Sequence, residues 1–177
     1  KIAFTGSTDI GKLIAKNVAH TTKKLTLELG GKSANIVYED AAIDQAVEGV
    51  VNGIYFNQGH VCCAGSRLLL EESIAKDFLK KLQKRMKTIR VGDPLDKNTD
   101  LGAINHKEQW EKIKTLVDQG KEEGGDFYQA ECKLPSKGYF FSPCYFAKQS
   151  GSSLISRLEI FGPVLSVSTF RTPDEAI

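Results

Sequence analysis

The chain has 177 residues, of which 41% are hydrophobic and 26% charged, an ordinary composition for one globular domain or slightly more. Its 24 basic and 22 acidic residues leave a formal net charge of +2 with no basic run, so no nucleic-acid partner is expected. No apolar stretch reaches the roughly 18 residues of a membrane span and no signal peptide opens the sequence, so we expect a cytoplasmic protein without a membrane partner.

The cysteines and the two chain ends add to this expectation. Four cysteines without the density of a small secreted scaffold indicate a reduced compartment: Cys62, Cys63, Cys132 and Cys144. The first residues enter an apolar strand directly, with no initiator Met, and the end at Ile177 is equally abrupt. The sequence therefore has the look of a piece of a longer polypeptide.

The first 31 residues predict a strand, a tight turn, a helix and a second strand. Residues 1–5 are predicted as a short buried strand, and the turn Gly6-Ser7-Thr8 leads into a helix with apolar residues at helical spacing. Such a turn leaves helix N–H groups free for an anion, although Ser and Thr are also ordinary helix caps, and both readings stay open. Residues 25–29 alternate as a strand before Gly30-Gly31, which places Glu28 at the strand end.

The rest of the chain continues to alternate strands with helices. Strands are predicted at 34–38, 68–70 and 164–170, and helices at about 42–54, at 74–89 and from an Asn105 cap to Gly124, the last burying Trp110. Residues 126–137 are predicted as a surface loop, and 138–146 as extended chain at a sheet edge, because Pro143 interrupts them. The order predicts an α/β fold with a mainly parallel sheet flanked by helices.

The stretch from Phe56 to Arg67 carries two adjacent cysteines after a glycine-containing loop. A thiol there can be a nucleophile, but taken alone a cysteine is more often a buried small apolar residue. We interpret Cys63 as packing behind Cys62. His60 with the two cysteines could suggest a soft metal site, but no fourth ligand has suitable spacing, so no metal is expected.

Four stretches in the same order resemble the aldehyde dehydrogenase superfamily over essentially all 177 residues. They are Phe4-Thr5-Gly6-Ser7-Thr8, Leu27-Glu28-Leu29-Gly30-Gly31-Lys32-Ser33, Asn57 to Arg67, and Glu159 to Val164. The phrases at 44–51 and 66–70 look most like the sixteenth family of this superfamily. The resemblance implies that residues 1–29 end an NAD(P)-binding domain and that residues 30–177 form a catalytic domain that is incomplete at its C-terminus.

The activity implied by the resemblance is NAD(P)-dependent oxidation of an aldehyde to a carboxylate through a cysteine thiohemiacetal and a thioester. Cys62 matches the family nucleophile, and its backbone N–H would help to hold the oxyanion. Glu28 matches the general base that activates water against the thioester. The residues that match the cofactor contacts are Gly6, Ser7, Leu29, Gly30, Gln109, Lys112, Glu159 and Phe161. NAD is the expected cofactor, and NADP stays open.

Two departures from the family pattern fall outside the implied chemistry. Members commonly have glutamate where this chain has Leu158, and glutamine where it has His60. Because some members of the sixteenth family resemble pseudoenzymes, the alternative is an inactive scaffold or regulatory protein with the same fold, but this chain keeps both Cys62 and Glu28. Isolated from its missing parts, the chain is expected to be inactive, and the whole protein is expected to be a homo-oligomer that takes a small aldehyde.

Overall fold

The computed structural model describes all residues from 1 to 177, which divide into the units Lys1–Gly31 and Lys32–Ile177. The first unit contains strand β1 (Ile2–Thr5), helix α1 (Thr8–Val18) and strand β2 (Leu25–Glu28). The two strands are parallel, with Thr5 beside Glu28. The residues of β1 alternate between half-buried and exposed, so the prediction of a buried strand was wrong. A two-stranded sheet with one helix leaves part of its surface open.

The second unit is a five-stranded sheet with helices around it. Its elements are β3 (Ala34–Val37), α2 (Ile43–Tyr55), β4 (Arg67–Glu71), α3 (Glu72–Met86), α4 (Lys107–Glu122), β5 (Asp126–Gln129), β6 (Cys144–Ala147), α5 (Leu154–Arg157), β7 (Val164–Phe170) and α6 (Pro173–Ala176). The strand order is β3-β4-β7-β6-β5, and only β5 and β6 pair antiparallel. The predicted α/β fold with a mainly parallel sheet is confirmed. None of the helices has the length and apolar character required to cross a bilayer.

The sheet of the second unit buries both of its faces, because successive residues of a strand point to opposite sides. In β6, Tyr145 packs with the cluster that includes α2 and α3, whereas Phe146 packs with the cluster that includes α4. In α4, the apolar residues Ile113 and Val117, four positions apart, are both buried against this second cluster. Two apolar cores therefore fix the sheet from opposite sides.

Two predicted features of the region before β7 were wrong. The predicted loop at 126–137 contains β5, whose residues after Asp126 are half-buried. The segment predicted at a sheet edge contains β6, which lies between β7 and β5. Pro143 is compatible with this interior position because it precedes the strand and uses its carbonyl oxygen, which accepts the Ala130 N–H at 3.0 Å.

The ends of two helices also differ from the prediction. The cap of α4 is His106 and not Asn105, since the His106 Nδ1 atom accepts the Gln109 N–H at 3.3 Å. Trp110 is half-buried rather than buried, because its indole N–H donates to the Phe140 carbonyl oxygen at 2.9 Å and fixes the ring near the surface. The helix predicted to reach residue 89 ends at Met86.

Candidate active site

Cys62 and Cys63 are the two central residues of a turn between α2 and β4. The Ala64 backbone N–H closes the turn by donating to the Val61 carbonyl oxygen at 3.0 Å. Both cysteine residues are exposed and free. The backbone N–H of Cys62 donates to no acceptor within the chain, so neither its thiol nor its N–H is engaged. The interpretation of Cys63 as a packing residue was wrong, because the turn projects both central residues outward.

Three consecutive residues with left-handed backbone precede the cysteine turn: Asn57, Gln58 and Gly59 have φ angles of 49°, 57° and 75°. For a residue with a side chain this conformation costs about 1–2 kcal/mol, so it requires support from its surroundings. The Asn57 carbonyl oxygen accepts the His60 N–H at 2.9 Å, and the Asn57 amide donates to the His60 carbonyl oxygen at 3.2 Å. The Gln58 side-chain oxygen accepts the Gly102 N–H at 2.9 Å.

Gly59 is the point where the cysteine loop meets the loop before β7. A Cβ atom at Gly59 would lie 2.2 Å from the Gly162 carbonyl oxygen and 3.2 Å from that of Ile54, so a side chain has no room. Gly162 in turn approaches α4, where a Cβ atom would lie 2.5 Å from Ile113 Cδ1. Close glycine contacts therefore hold three separate segments of the chain together.

The chain after the cysteines is held as firmly as the chain before them. The Gly65 N–H donates to the Gly53 carbonyl oxygen at 3.0 Å, and the Asn35 amide donates to the Gly65 carbonyl oxygen at 3.3 Å. A Cβ atom at Gly65 would lie 2.2 Å from Asn35 Nδ2. Ser66 then enters the sheet, where its carbonyl oxygen accepts the Ser166 N–H at 2.9 Å. The exposed thiols thus stand on a backbone that is fixed on both sides.

A cavity of about 320 Å³ opens beside this loop, lined by residues 57, 58 and 60, by the start of α4 and by Phe161. Gln109 brings the last two together, because its amide donates to the carbonyl oxygens of Ile160 and Phe161, both at 2.9 Å. Phe161 has a φ of 56°, and its ring centroid lies 5.4 Å from that of His60. Two of the predicted cofactor residues, Gln109 and Phe161, are therefore in direct contact.

The surroundings of His60 favour its neutral form. Its burial lowers the pKa of the imidazole, and the nearby His106 lowers that pKa further, while a backbone hydrogen bond at Asn57 opposes the change. The Nε2 atom is buried and has no hydrogen-bond partner. A charged imidazolium would place an unpaired N–H donor there, which is costly.

Lys32 lies close to another predicted cofactor residue, Glu159. Burial lowers the pKa of Lys32 to about 8, and the positive charge of Arg67 acts in the same direction, whereas the Glu159 carboxylate acts against it. The ammonium group donates to Ser66 Oγ at 3.4 Å. Lys32 therefore stands between Glu159, whose charge it feels, and Ser66, to which it is hydrogen-bonded in the segment after the cysteine turn.

The predicted residues of the first unit meet at the carboxyl ends of its two strands. The Gly6 N–H donates to the Glu28 carbonyl oxygen at 3.0 Å, and the Glu28 side chain is exposed. Ser7 caps α1, since its Oγ atom accepts the Ile10 N–H at 3.5 Å. The turn and the carboxylate are thus neighbours in space, and the capping role of Ser7 is seen directly.

The remaining predicted residues have less distinctive surroundings. Leu29 packs closely on α1, where a Cβ atom at Gly11 would lie 2.5 Å from Leu29 Cδ2, and Gly30 follows it. Lys112 is exposed on α4, one turn after Gln109, and does not line the cavity.

The comparisons with known proteins cover the chain from end to end. The model of the aldehyde dehydrogenase family matches residues 1–177. The chain belongs to the aldehyde dehydrogenase family. Retinal dehydrogenase 2 of Taeniopygia guttata is 45% identical over 178 residues, which cover 100% of this chain and 34% of that protein. The predicted superfamily is confirmed, while the resemblance to its sixteenth family remains a prediction.

Solved aldehyde dehydrogenases have the same fold as this chain. An aldehyde dehydrogenase from Bacillus cereus matches with a TM-score of 0.95 at 39% identity, covering 100% of this chain and 36% of the other. The betaine aldehyde dehydrogenase of Staphylococcus aureus, solved in complex with NAD+, matches with a TM-score of 0.91 at 39% identity, covering 98% and 35%. This aldehyde dehydrogenase chain thus spans about a third of the length of the relatives it matches.

Sequence reasoning about this aldehyde dehydrogenase overlooked several residues around the predicted site. Asn35, which fixes Gly65, stands as a lone amide in an otherwise apolar strand, and that contrast was the available signal. Lys32 lies in the motif from Leu27 to Ser33, but the motif alone indicates no role for it. No sequence pattern near His106 indicates that it lines the cavity, because its position depends on how α4 packs against the rest of the chain.

Proposed function

We propose that this chain carries the reacting residues of an NAD-dependent aldehyde dehydrogenase that converts an aldehyde to a carboxylate. Cys62 is the nucleophile and Glu28 the general base. The observation that supports this proposal most is the exposed Cys62 thiol in a turn whose flanking residues are locked by the glycine contacts at 59 and 65. A fixed backbone with a free thiol and a free N–H is what nucleophilic attack and oxyanion stabilisation require.

The chemistry assigns one bond change to each group. The Cys62 thiolate forms a C–S bond to the aldehyde carbon, and the oxygen that becomes negative is stabilised by the Cys62 N–H. A bound NAD would supply the acceptor for the hydride that leaves this carbon, so that Cys62 then carries the substrate as a thioester. Glu28 then takes one proton from water, the water oxygen attacks the thioester carbon, and the C–S bond breaks to give the carboxylic acid and the free thiolate; the acid releases its remaining proton to solvent and becomes the carboxylate.

The residues of the second unit fit the nicotinamide half of such a cofactor. The cavity of about 320 Å³ is at the lower end of ligand pockets, which are about 300–1,000 Å³. It offers the Phe161 ring as a flat apolar wall, with Gln109 as a polar neighbour. We assign to Glu159 the binding of the hydroxyl groups of the nicotinamide ribose. In the first unit, Gly6 and Ser7 at the start of α1 are assigned the pyrophosphate, because a helix N-terminus favours an anion.

The remaining cofactor assignments are Leu29, Gly30 and Lys112, and we retain them as part of the proposal. NAD is favoured over NADP by the relatives solved with NAD+. The four free thiols are consistent with the cytoplasmic setting that we also propose. A homo-oligomer is the expected assembly, and light scattering of the full-length gene product measures it.

The decisive experiment follows NADH absorbance with the full-length gene product carrying this sequence. The substrates are simple aliphatic and aromatic aldehydes, together with retinal and betaine aldehyde, which the relatives' names suggest. Cys62→Ala is expected to lower the rate at least about a thousandfold, because the covalent step is lost. Cys63→Ala is the matched control, since this neighbour is equally exposed but is given no role in the reaction.

Two outcomes would contradict the proposal. Turnover that survives Cys62→Ala and disappears in Cys63→Ala would show that the nucleophile is Cys63 and not Cys62. A folded protein that binds NAD but turns over none of the aldehydes, with or without Cys62, would instead support the scaffold alternative.

A further inference from the structure

Phe161 is held in an unfavourable backbone conformation by two contacts. Its φ of 56° is left-handed, which a residue with a bulky side chain rarely adopts. Such a conformation persists only where the surroundings fix it. Gln109 fixes the backbone through its hydrogen bond to the Phe161 carbonyl oxygen, and His60 is the aromatic neighbour of the ring, tilted by 54° with centroids 5.4 Å apart.

His60 is itself fixed from the backbone outward. Asn57 binds both its N–H and its carbonyl oxygen, and Gly59, the residue before His60, lies directly against Gly162, the residue after Phe161. The backbone of His60 is therefore held in place, and its imidazole can change position only by rotation about the side-chain bonds. The orientation of the imidazole then decides whether the Phe161 ring keeps its aromatic neighbour.

We propose that His60 is a positioning residue for Phe161, whose ring it holds when the imidazole is neutral and releases when the imidazole is protonated. The functional part of this inference rests on the proposed function, in which Phe161 packs against the nicotinamide. The reason for the release is the buried Nε2 atom, which has no acceptor nearby. In the imidazolium both ring nitrogens carry a proton, so Nε2 is then a charged donor without an acceptor. Rotation of the ring toward water gives it one, and the ring contact with Phe161 is lost.

The charged and titratable groups around His60 agree with this behaviour. At the start of α4 lie His106 and Glu108, which are paired with each other at 2.9 Å. Glu159 precedes Phe161 in the facing loop, and Cys62 lies two residues further along the chain. Among these groups, His106 disfavours the imidazolium of His60, in addition to the effect of burial.

The test is an NMR titration of the chain between pH 5 and pH 8, with a histidine-containing model peptide as the reference. His60 is expected to titrate below the histidine of the peptide, because burial lowers its pKa, and the Phe161 ring resonances are expected to shift with the same midpoint. His60→Phe keeps an aromatic neighbour that cannot titrate, so the Phe161 resonances should become independent of pH. His106→Asn removes the repulsion but keeps a capping side chain, so the midpoint should move upward.

Two results would overturn the inference: His60 titrating together with the model peptide, or Phe161 resonances that do not change with the titration of His60. If His60→Phe does not fold, His106→Asn decides the question: the midpoints of His60 and of the Phe161 resonances should move upward together, and Phe161 resonances that do not follow His60 count against the inference.

A second measurement separates this inference from the proposed function. In the full-length gene product, the dissociation constant for NAD is expected to rise about two- to tenfold below the His60 midpoint, which corresponds to the loss of one aromatic contact. In His60→Phe it should stay flat. If the NMR midpoints coincide but NAD does not bind at any pH, the positioning role stands and the proposed cofactor site is wrong. If NAD binds but the midpoints differ, the positioning role is wrong.

Discussion

Replacing Gly59 by alanine tests whether the cysteine loop is locked by backbone contact. Its φ of 75° costs an alanine about 1–2 kcal/mol. The new methyl carbon would also lie 2.2 Å from the Gly162 carbonyl oxygen, so one of the two loops must move, and such overpacking costs about 1–3 kcal/mol. We expect Gly59→Ala to lose about 2–5 kcal/mol of unfolding free energy.

Gly49 provides the matched control for this substitution. It is an exposed glycine inside α2 with nothing within 4 Å of a built Cβ atom, so Gly49→Ala should gain about 1 kcal/mol from helix propensity. Urea unfolding followed through Trp110, the single tryptophan, measures both variants. The midpoint should fall by about 1–3 M for Gly59→Ala and rise slightly for the control. An unchanged midpoint in Gly59→Ala would refute the backbone lock.

Three further predictions concern thiols, a buried lysine and a buried hydroxyl. In the folded chain, iodoacetamide should modify Cys62 and Cys63 quickly and Cys144 only after unfolding, because burial raises the pKa of the Cys144 thiol and excludes the reagent. Mass spectrometry of digested peptides measures the order of modification, and Cys144 reacting first would contradict this. Lys32 has a folded pKa of about 8, below its unfolded value of 10.5, so the cost of burying its charge is full below pH 8 and disappears as pH rises to about 10.5. Urea midpoints should therefore rise more steeply with pH across this window in the wild type than in Lys32→Met, and parallel curves would contradict this. Tyr55→Phe should cost about 1–2 kcal/mol in thermal or urea unfolding, because the Tyr55 hydroxyl donates to the Cys144 carbonyl oxygen at 3.1 Å in the core, and a neutral result would mean that this bond contributes nothing.

The parts of the fold that the sequence predicted correctly are those where local pattern and burial agree. The four-residue spacing of Ile113 and Val117 marked the buried face of α4, and the apolar run at 164–170 marked β7. The strand β5 was not predicted because it is short, begins with Asp126 and lies at the sheet edge, where its residues are only half-buried. Such a strand depends on its partner β6 rather than on its own composition.

The sequence named candidate residues for the site but not the contacts between them. Motif order pointed to Cys62 and Phe161, whereas the contact between His60 and Phe161 joins residues about 100 positions apart and has no local signature. The left-handed backbone at Asn57 and Gln58 also runs against the preference of residues with side chains. It is supported by the local bonds between Asn57 and His60 and by the bond between Gln58 and the distant Gly102, and a tertiary contact of the second kind cannot be read from sequence spacing.

The position of β7 in the sheet has a consequence for how the protein is made. This strand lies between β4 and β6, yet it is the last of the five strands of this sheet to be synthesised. Until it emerges, this sheet can form only as the separate β3-β4 pair and β5-β6 hairpin. The Gly59 contact waits for the same segment, because Gly162 directly precedes β7. In a ribosome-bound chain that stops short of residue 162, the cysteine loop is therefore not yet fixed and the edges of β4 and β6 are unpaired. Such a chain cannot yet react through its cysteines, and its exposed strand edges are the kind of surface that chaperones bind.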